Sequence, residues 1–281
     1  MFCLKKILIA IMTAIFCAGL CFAVPDVSEE TASLVDSFFD LRMNLSLIDG
    51  DTEPGMAEIL AAIDDFAARN SEKIAALSEQ DRIVIDNFII MERYNYLYGK
   101  EGQAKMLREM LGAQREKCES FAKSAGDDAL SSYFFCTWAD ITSCYMVFSI
   151  SDVLKYATGI EPLYKKALQK YPDFSYILTN IGQYYYFAPK IAGGSKKKTL
   201  EFFEQARALA MTDAQKYFAD IFLSQLLYER KDFARCEELL SEAESFCHGS
   251  YYIAKIRRAN ENGLSLYQYN RKKSSLDEKS N

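Results

Sequence analysis

The sequence predicts an all-α fold built as an array of antiparallel helix pairs, a divergent tetratricopeptide-like α-solenoid. Three observations carry the prediction. Apolar residues recur at three-and-four spacing through almost the whole chain, with no Asn-Gly hairpin signal between alternating runs. The five prolines, at 25, 54, 162, 172 and 189, are nearly confined to boundaries. A helix-pair signature also recurs in register through the middle of the chain.

From the N-terminus, residues 1–23 read as an export signal. Lys5 and Lys6 form a positive start, an apolar core runs from Ile7 to about Leu20, and Cys21-Phe22-Ala23 places small residues at −3 and −1 of a cut before Val24. An uncleaved anchor is the competing reading, although this apolar run is at the short end for a bilayer span. Lipid attachment at Cys17 or Cys21 is a further alternative with a poor match, because Phe16 and Leu20 stand where a small residue belongs. The expected location is the periplasm or another extracytoplasmic space.

Cleavage takes the formal charge from −6 to −8 by removing the two lysines. An acidic chain with a pI near 5.1 lacks the basic footprint of a nucleic-acid binder. Five cysteines remain: Cys118, Cys136, Cys144, Cys236 and Cys247. The odd count and the lack of C-x-x-C argue for small buried hydrophobes rather than a disulfide framework, with one bridge such as Cys118–Cys144 left open.

Residues 24–130 are expected to form N-terminal helical pairs, over roughly 28–48, 56–76, 79–99 and 101–125. Gly99-Lys-Glu-Gly102 and Ala125-Gly-Asp-Asp128 supply breaks. In 79–99, Ile83, Ile85, Phe88, Ile89 and Tyr94 form a broad apolar helix face. Further helices are expected over 127–150, 151–170, 174–188, 196–210, 213–230, 232–247 and 250–269. The region 131–250 carries the repeats, and 251–281 a C-terminal helix with a polar tail.

The repeat template has a first helix with W-x2-L-G-x2-Y and a second with A-x3-F-x2-A, often followed by Pro. "WADITSCY" places Trp138, Ile141-Thr142 and Tyr145 on it, "LTNIGQYY" places Leu178, Ile181-Gly182 and Tyr185, and "DIFLSQLLY" places Leu223-Ser224 and Leu227. "YKKALQKYP" gives Tyr164, Ala167 and Pro172 at second-helix positions, and Cys236, Leu240 and Ala243 follow as the second helix of the third unit. Small residues at Gly182, Ser224, Ala167, Ala206 and Ala243 admit close helix approach, while Trp138, Tyr145, Tyr185 and Phe203 fill the holes. The units are 40 and 42 residues apart rather than 34, and the extra residues are expected at lengthened turns inside the first and second units.

The second of those turns, "YYYFAPKIAGGSKKKTLEFFEQA" at 184–206, invites comparison with a phosphate loop. Lys198-Thr199 follows Lys197 rather than Gly, and no strand precedes it, so the comparison fails. As a helical corner it is coherent: Pro189 ends one helix, Gly193 and Gly194 permit the turn, and Ser195 caps the next helix. Lys196, Lys197 and Lys198 oppose the helix dipole by about 0.3–1 kcal/mol each, which leaves them either solvated or held by an anionic partner.

Catalytic constellations are scarce. The single histidine, His248, sits at an expected helix end. Nothing has metal-ligand spacing, and no G-x-S-x-G or dinucleotide loop occurs, so neither metal nor cofactor is expected. Asp64-Asp65, Asp127-Asp128 and Glu237-Glu238 look like solvated faces or caps. A hydrolase using two acids distant in sequence stays open as an alternative to a non-enzymatic protein. The remaining chemistry is aromatic. The stripe facing the concave side of the array contains Tyr176, Thr179, Gln183 and Tyr186 in the second unit, and Phe218, Ile221, Gln225 and Tyr228 in the third. Aromatic walls around two Gln amides suit a mixed apolar and hydrogen-bonding ligand, and the same residues also suit a plain superhelix core.

The repeat register, the export signal and "FAPKIAGGSKKKTLEFFEQA" together resemble the T component of tripartite ATP-independent periplasmic (TRAP) transporters. The similarity is most specific over Trp138–Ala206, continues to about Ala243, and is only architectural before Ser131. It implies a periplasmic solute-binding protein as partner, self-association into trimers, and a pore or groove that takes a hydrophobic organic acid. The poor lipid-attachment site departs from the family pattern, and a general envelope repeat adaptor is the alternative binding-class reading.

Overall fold

The computed structural model describes residues 26–188, 190 and 193–270. The expected export signal, Pro189 and the tail from 271 onward lie outside them. The described residues form twelve α-helices and no strand.

The helices are α1 (Glu29–Leu45), α2 (Glu53–Arg69), α3 (Ser71–Ala76), α4 (Glu79–Leu97), α5 (Ala104–Ala125), α6 (Ser132–Met146), α7 (Ile150–Lys170), α8 (Ser175–Phe187), α9 (Lys196–Ala208), α10 (Asp213–Glu229), α11 (Phe233–Phe246) and α12 (Tyr251–Glu261). A further helical stretch covers 266–270. Ser28, Thr52, Ser78, Ser131, Ser195, Thr212, Asp232 and Ser250 each accept the N–H three residues ahead, so most helices begin where a short polar side chain can replace a missing backbone acceptor.

The closest helix pairs are α6 with α7, α8 with α9, and α10 with α11, which are the three expected repeat units. Gly182 of α8 shows why the second pair closes: a Cβ there would lie 2.6 Å from the Phe203 ring of α9. Ala167, Ala206, Ala243 and Ser224 are all fully buried, and so are Tyr185 and Phe203. Trp138 and Tyr145 are only half-buried: Trp138 packs edge-on to Phe134, and Tyr145 lies over Gly112 of α5.

Several boundaries differ from the sequence reading. Residues 56–76 form two helices, because Asn70 turns its Nδ2 back onto the Phe66 carbonyl and interrupts the run. Asp127–Ala129 is a separate 3-10 turn, and α6 starts only after the Ser131 cap. The first unit has no lengthened turn. Three residues, 147–149, join α6 to α7, and the extra length extends α7 to 21 residues. Pro162 is not at a boundary but inside α7. The carbonyl it leaves unbonded belongs to Thr158, on an exposed side of the helix where water can take its place. The five cysteines among the described residues are free thiols, so the Cys118–Cys144 bridge is absent.

The N-terminal region does not simply continue the stack. Helix α1 packs against α4 and against α10, and so reaches from the N-terminal helices to the third unit. Its Phe39 ring lies 5.0 Å from Tyr176 of α8. Its C-terminal end is tied by a hydroxyl knot, in which the Tyr217 phenol meets Ser46 Oγ and Ser250 Oγ at 2.8 Å each. The N–H of Tyr252 donates to the Ser46 carbonyl.

Candidate ligand-binding face

The fold turns one side of α8 and α10 toward α1 and the C-terminal residues, and the two halves of the expected stripe have different fates. Around α1, Tyr176 is half-buried between Phe39 and Phe88, with ring centroids 5.0 and 5.2 Å away. Thr179 is buried. Gln183 is half-buried and donates to Asn180 Oδ1 at 3.3 Å. Phe218 is half-buried beneath the Arg42 guanidinium, whose carbon is 4.7 Å from the ring centroid, and Ile221 is sealed in the core.

The other half clasps the C-terminal residues. Gln225 is completely buried, accepts the Leu266 N–H at 2.7 Å and donates to Ser224 Oγ. Tyr228 donates to the Asn260 carbonyl at 2.5 Å. Tyr186 donates to Glu229, which also accepts from Ser265, and its ring packs 4.5 Å from Tyr267. The two glutamine amides therefore serve separate neighbours.

At the corner, Gly193 has φ +90°, a conformation that glycine adopts without strain, and Gly194 is half-buried beside it. Ser195 caps α9 with its hydroxyl and donates its N–H to the Tyr185 carbonyl at 2.9 Å. The lysines divide. Lys196 lies over the Tyr186 ring at 3.2 Å and pairs with Glu229 at 3.1 Å; Lys198 lies over Tyr185 at 4.4 Å. Lys197 is 86% exposed, with only the distant Glu201 of its own helix for company. Two of the three lysines are thus packed on tyrosine faces, where cation–π attraction offsets the unfavourable helix dipole.

Beneath the stripe lie polar residues absent from the sequence expectation. Asp140 of α6 is 5% exposed and accepts hydrogen bonds from Tyr164 (2.5 Å), Tyr176 (2.5 Å) and Asn180 (2.7 Å). Burial pushes its carboxyl up to about 6, against the opposing pull of these three donors. Arg42 donates Nε to the buried Glu92 at 2.6 Å, and Glu92 also accepts from Asn95. Glu92 interrupts an apolar run, and Arg42 stands in the last turn of α1. Those are the only sequence signals for a pair that is 50 residues apart.

Among the described residues, no group of three or more His, Cys, Asp or Glu side chains is placed to hold a metal ion. No described helix is long and apolar enough to cross a membrane. His248 is exposed. Fold and site together define an all-α protein of stacked helix pairs with a partly open aromatic and polar face. Compared with known proteins, the chain matches no family model, and no curated protein matches it significantly.

Proposed function

We propose that this chain is a non-catalytic, extracytoplasmic helical-repeat scaffold. In this reading it docks the solute-binding protein of a TRAP transporter and assists uptake of a small, partly hydrophobic organic acid. The observation that carries the reading is the face described above, where three helix pairs in register surround aromatic rings and polar groups that stay partly open. Such a mixed lining suits an amphiphilic small molecule. Four of the five buried carboxylates among the described residues, Glu92, Asp140, Asp152 and Asp220, are engaged by Arg42, by Tyr164 and Tyr176, by Arg108 and by Arg207, and the fifth, Asp81, lies in the first turn of α4, which fits structural roles.

Docking of a protein partner is supported on the opposite count, by what the fold leaves uncovered. The first turns of α7 expose Ile150 (81%) and Leu154 (79%), flanked by Val147 and Val153. A cluster of exposed apolar residues at a helix start is a surface with reason to be covered. Capture from a periplasmic extract tests the proposal. Recovery of a solute-binding protein, lost in an Ile150→Glu, Leu154→Glu double variant, is the expected result. Recovery of other envelope proteins would favour the general adaptor instead. Recovery of none, with a monomer by native mass spectrometry, would overturn the transporter reading.

A further inference from the structure

We infer that Asp140, Asn180 and Gln183 form a proton-coupled relay, in which protonation of the buried Asp140 carboxyl reverses the Asn180 amide and so inverts the polarity that Gln183 presents on the candidate face. Its consequence for a ligand rests on the proposal that this face holds one, whereas the relay itself is a property of the fold.

A continuous line of hydrogen bonds is the first ground. Asn180 Nδ2 donates to Asp140 Oδ2 at 2.7 Å, and Gln183 Nε2 donates in turn to Asn180 Oδ1 at 3.3 Å. Asp140 is buried, whereas Asn180 and Gln183 are half-buried. The line thus crosses from α6 to α8 and climbs one turn of α8 toward solvent. The Gln183 carbonyl oxygen accepts from no described residue, which leaves it to the face.

Proton accounting is the second ground. Every side-chain bond to Asp140 is donated to it, by the Tyr164 and Tyr176 phenols at 2.5 Å each and by Asn180. That set matches a carboxylate, which only accepts. A protonated carboxyl must also donate, and one neighbour must then accept. Neither phenol has a second described partner, so a phenol turned to accept would leave its own hydrogen unmet in the interior. An amide carries a donor and an acceptor on one end. Asn180 therefore rotates at no loss of bonds: Oδ1 accepts from Asp140, and Nδ2 donates to the Gln183 oxygen. Gln183 rotates in step, with solvent beyond it. Its oxygen faces outward when Asp140 is charged, and its N–H groups face outward when Asp140 is neutral.

The surroundings single out Asp140 as the group that titrates. Burial raises its carboxyl to about 6, against the pull of its three donors and of Arg42 on α1. Arg42 is itself paired with Glu92 of α4. Burial raises the Cys136 and Cys144 thiols on the same helix, and the Tyr164 and Tyr176 phenols of α7 and α8, so all four stay neutral. Helix α5 places Arg115 over Tyr145 and Cys118 against Asn87 rather than on Asp140. Below the transition, outward N–H groups and a neutral Asp140 both favour an acceptor on the ligand, such as a carbonyl. Above it, both favour a donor.

NMR titration of the full chain, with Asp carboxyl carbons and Asn and Gln side-chain amides isotopically labelled, tests the relay. The expected result is that the Asp140 carboxyl and the Asn180 and Gln183 amides shift together with one midpoint of about 6. In Asn180→Ala the Asp140 carboxyl should still titrate while the Gln183 amide stays constant, and in Asp140→Asn both amides should be constant. If Asn180→Ala does not fold, the wild-type and Asp140→Asn titrations decide. A Gln183 amide that stays constant while Asp140 titrates, or that still shifts in either variant, would overturn the relay. An Asp140 carboxyl that keeps one charge throughout would overturn it too. The titration involves neither ligand nor partner, so capture from extract can overturn the transporter reading while the relay stands.

Discussion

Gly182 illustrates how a single residue sets an interhelical distance. With the Phe203 ring where a Cβ would stand, Gly182→Ala must displace a buried aromatic side chain, and a loss of about 2 kcal/mol in denaturant unfolding is expected. An unchanged midpoint would show that α8 and α9 are not held as described. Asp140 makes a different kind of prediction. Its folded carboxyl is raised from 3.8 to about 6, so the native state holds a proton that the unfolded chain releases sooner. The associated stabilisation is present below about pH 4 and is lost as pH rises through 6. Relative to Asp140→Asn, the wild type should lose on the order of 2–3 kcal/mol between pH 4 and pH 7. A constant difference across that window would contradict the assignment. Gln225 holds the C-terminal residues by one amide oxygen, and Gln225→Ala leaves the Leu266 N–H unpaired. A cost of about 1–3 kcal/mol and faster hydrogen exchange at Leu266 are expected, and unaltered exchange would argue against the clasp.

At the scale of elements, the start of α7 separates stability from interaction. Ile150 and Leu154 are exposed, so Ile150→Glu with Leu154→Glu should move folding stability by no more than about 0.5 kcal/mol while removing partner capture. A variant that unfolds would place these side chains in the core instead. The repeat units were legible in sequence because their signals are local: Gly182, Ala167, Ala206 and Ala243 announce close packing at fixed spacing, and Ser195 announces a cap. The misplaced turn of the first unit was not legible, because a stretch such as 150–158, mixed in polarity and with exposed apolar residues, extends a helix as readily as it loops. Pro162 concealed the same fact, since a proline whose missing hydrogen bond falls on a solvated side is tolerated within a helix. The stripe on α8 and α10 was chosen by its period, which carries no record of its neighbours. Arg42 and Glu92 come from helices far apart in sequence, and no local pattern records that they meet.

For the whole molecule, α1 changes what a helical array would otherwise do. Stacked repeats couple only to nearest neighbours and can lose cooperativity as they lengthen. Here α1 packs on both α4 and α10, and Ser46 meets Tyr217 and Ser250, so the N-terminal helices and the third unit are joined directly. A single calorimetric transition is expected for the described region, and Tyr217→Phe, which unties the hydroxyl knot, should lower its midpoint. Two resolved transitions in the wild type would show that the ends unfold separately. The central claim is that this scaffold works by docking a solute-binding protein through its exposed apolar edge. It is tested most directly by placing a photo-reactive amino acid at position 154 in intact cells and identifying the protein it captures. The account predicts a covalent adduct with a solute-binding protein. Adducts with unrelated envelope proteins alone, or no adduct at all, would contradict it.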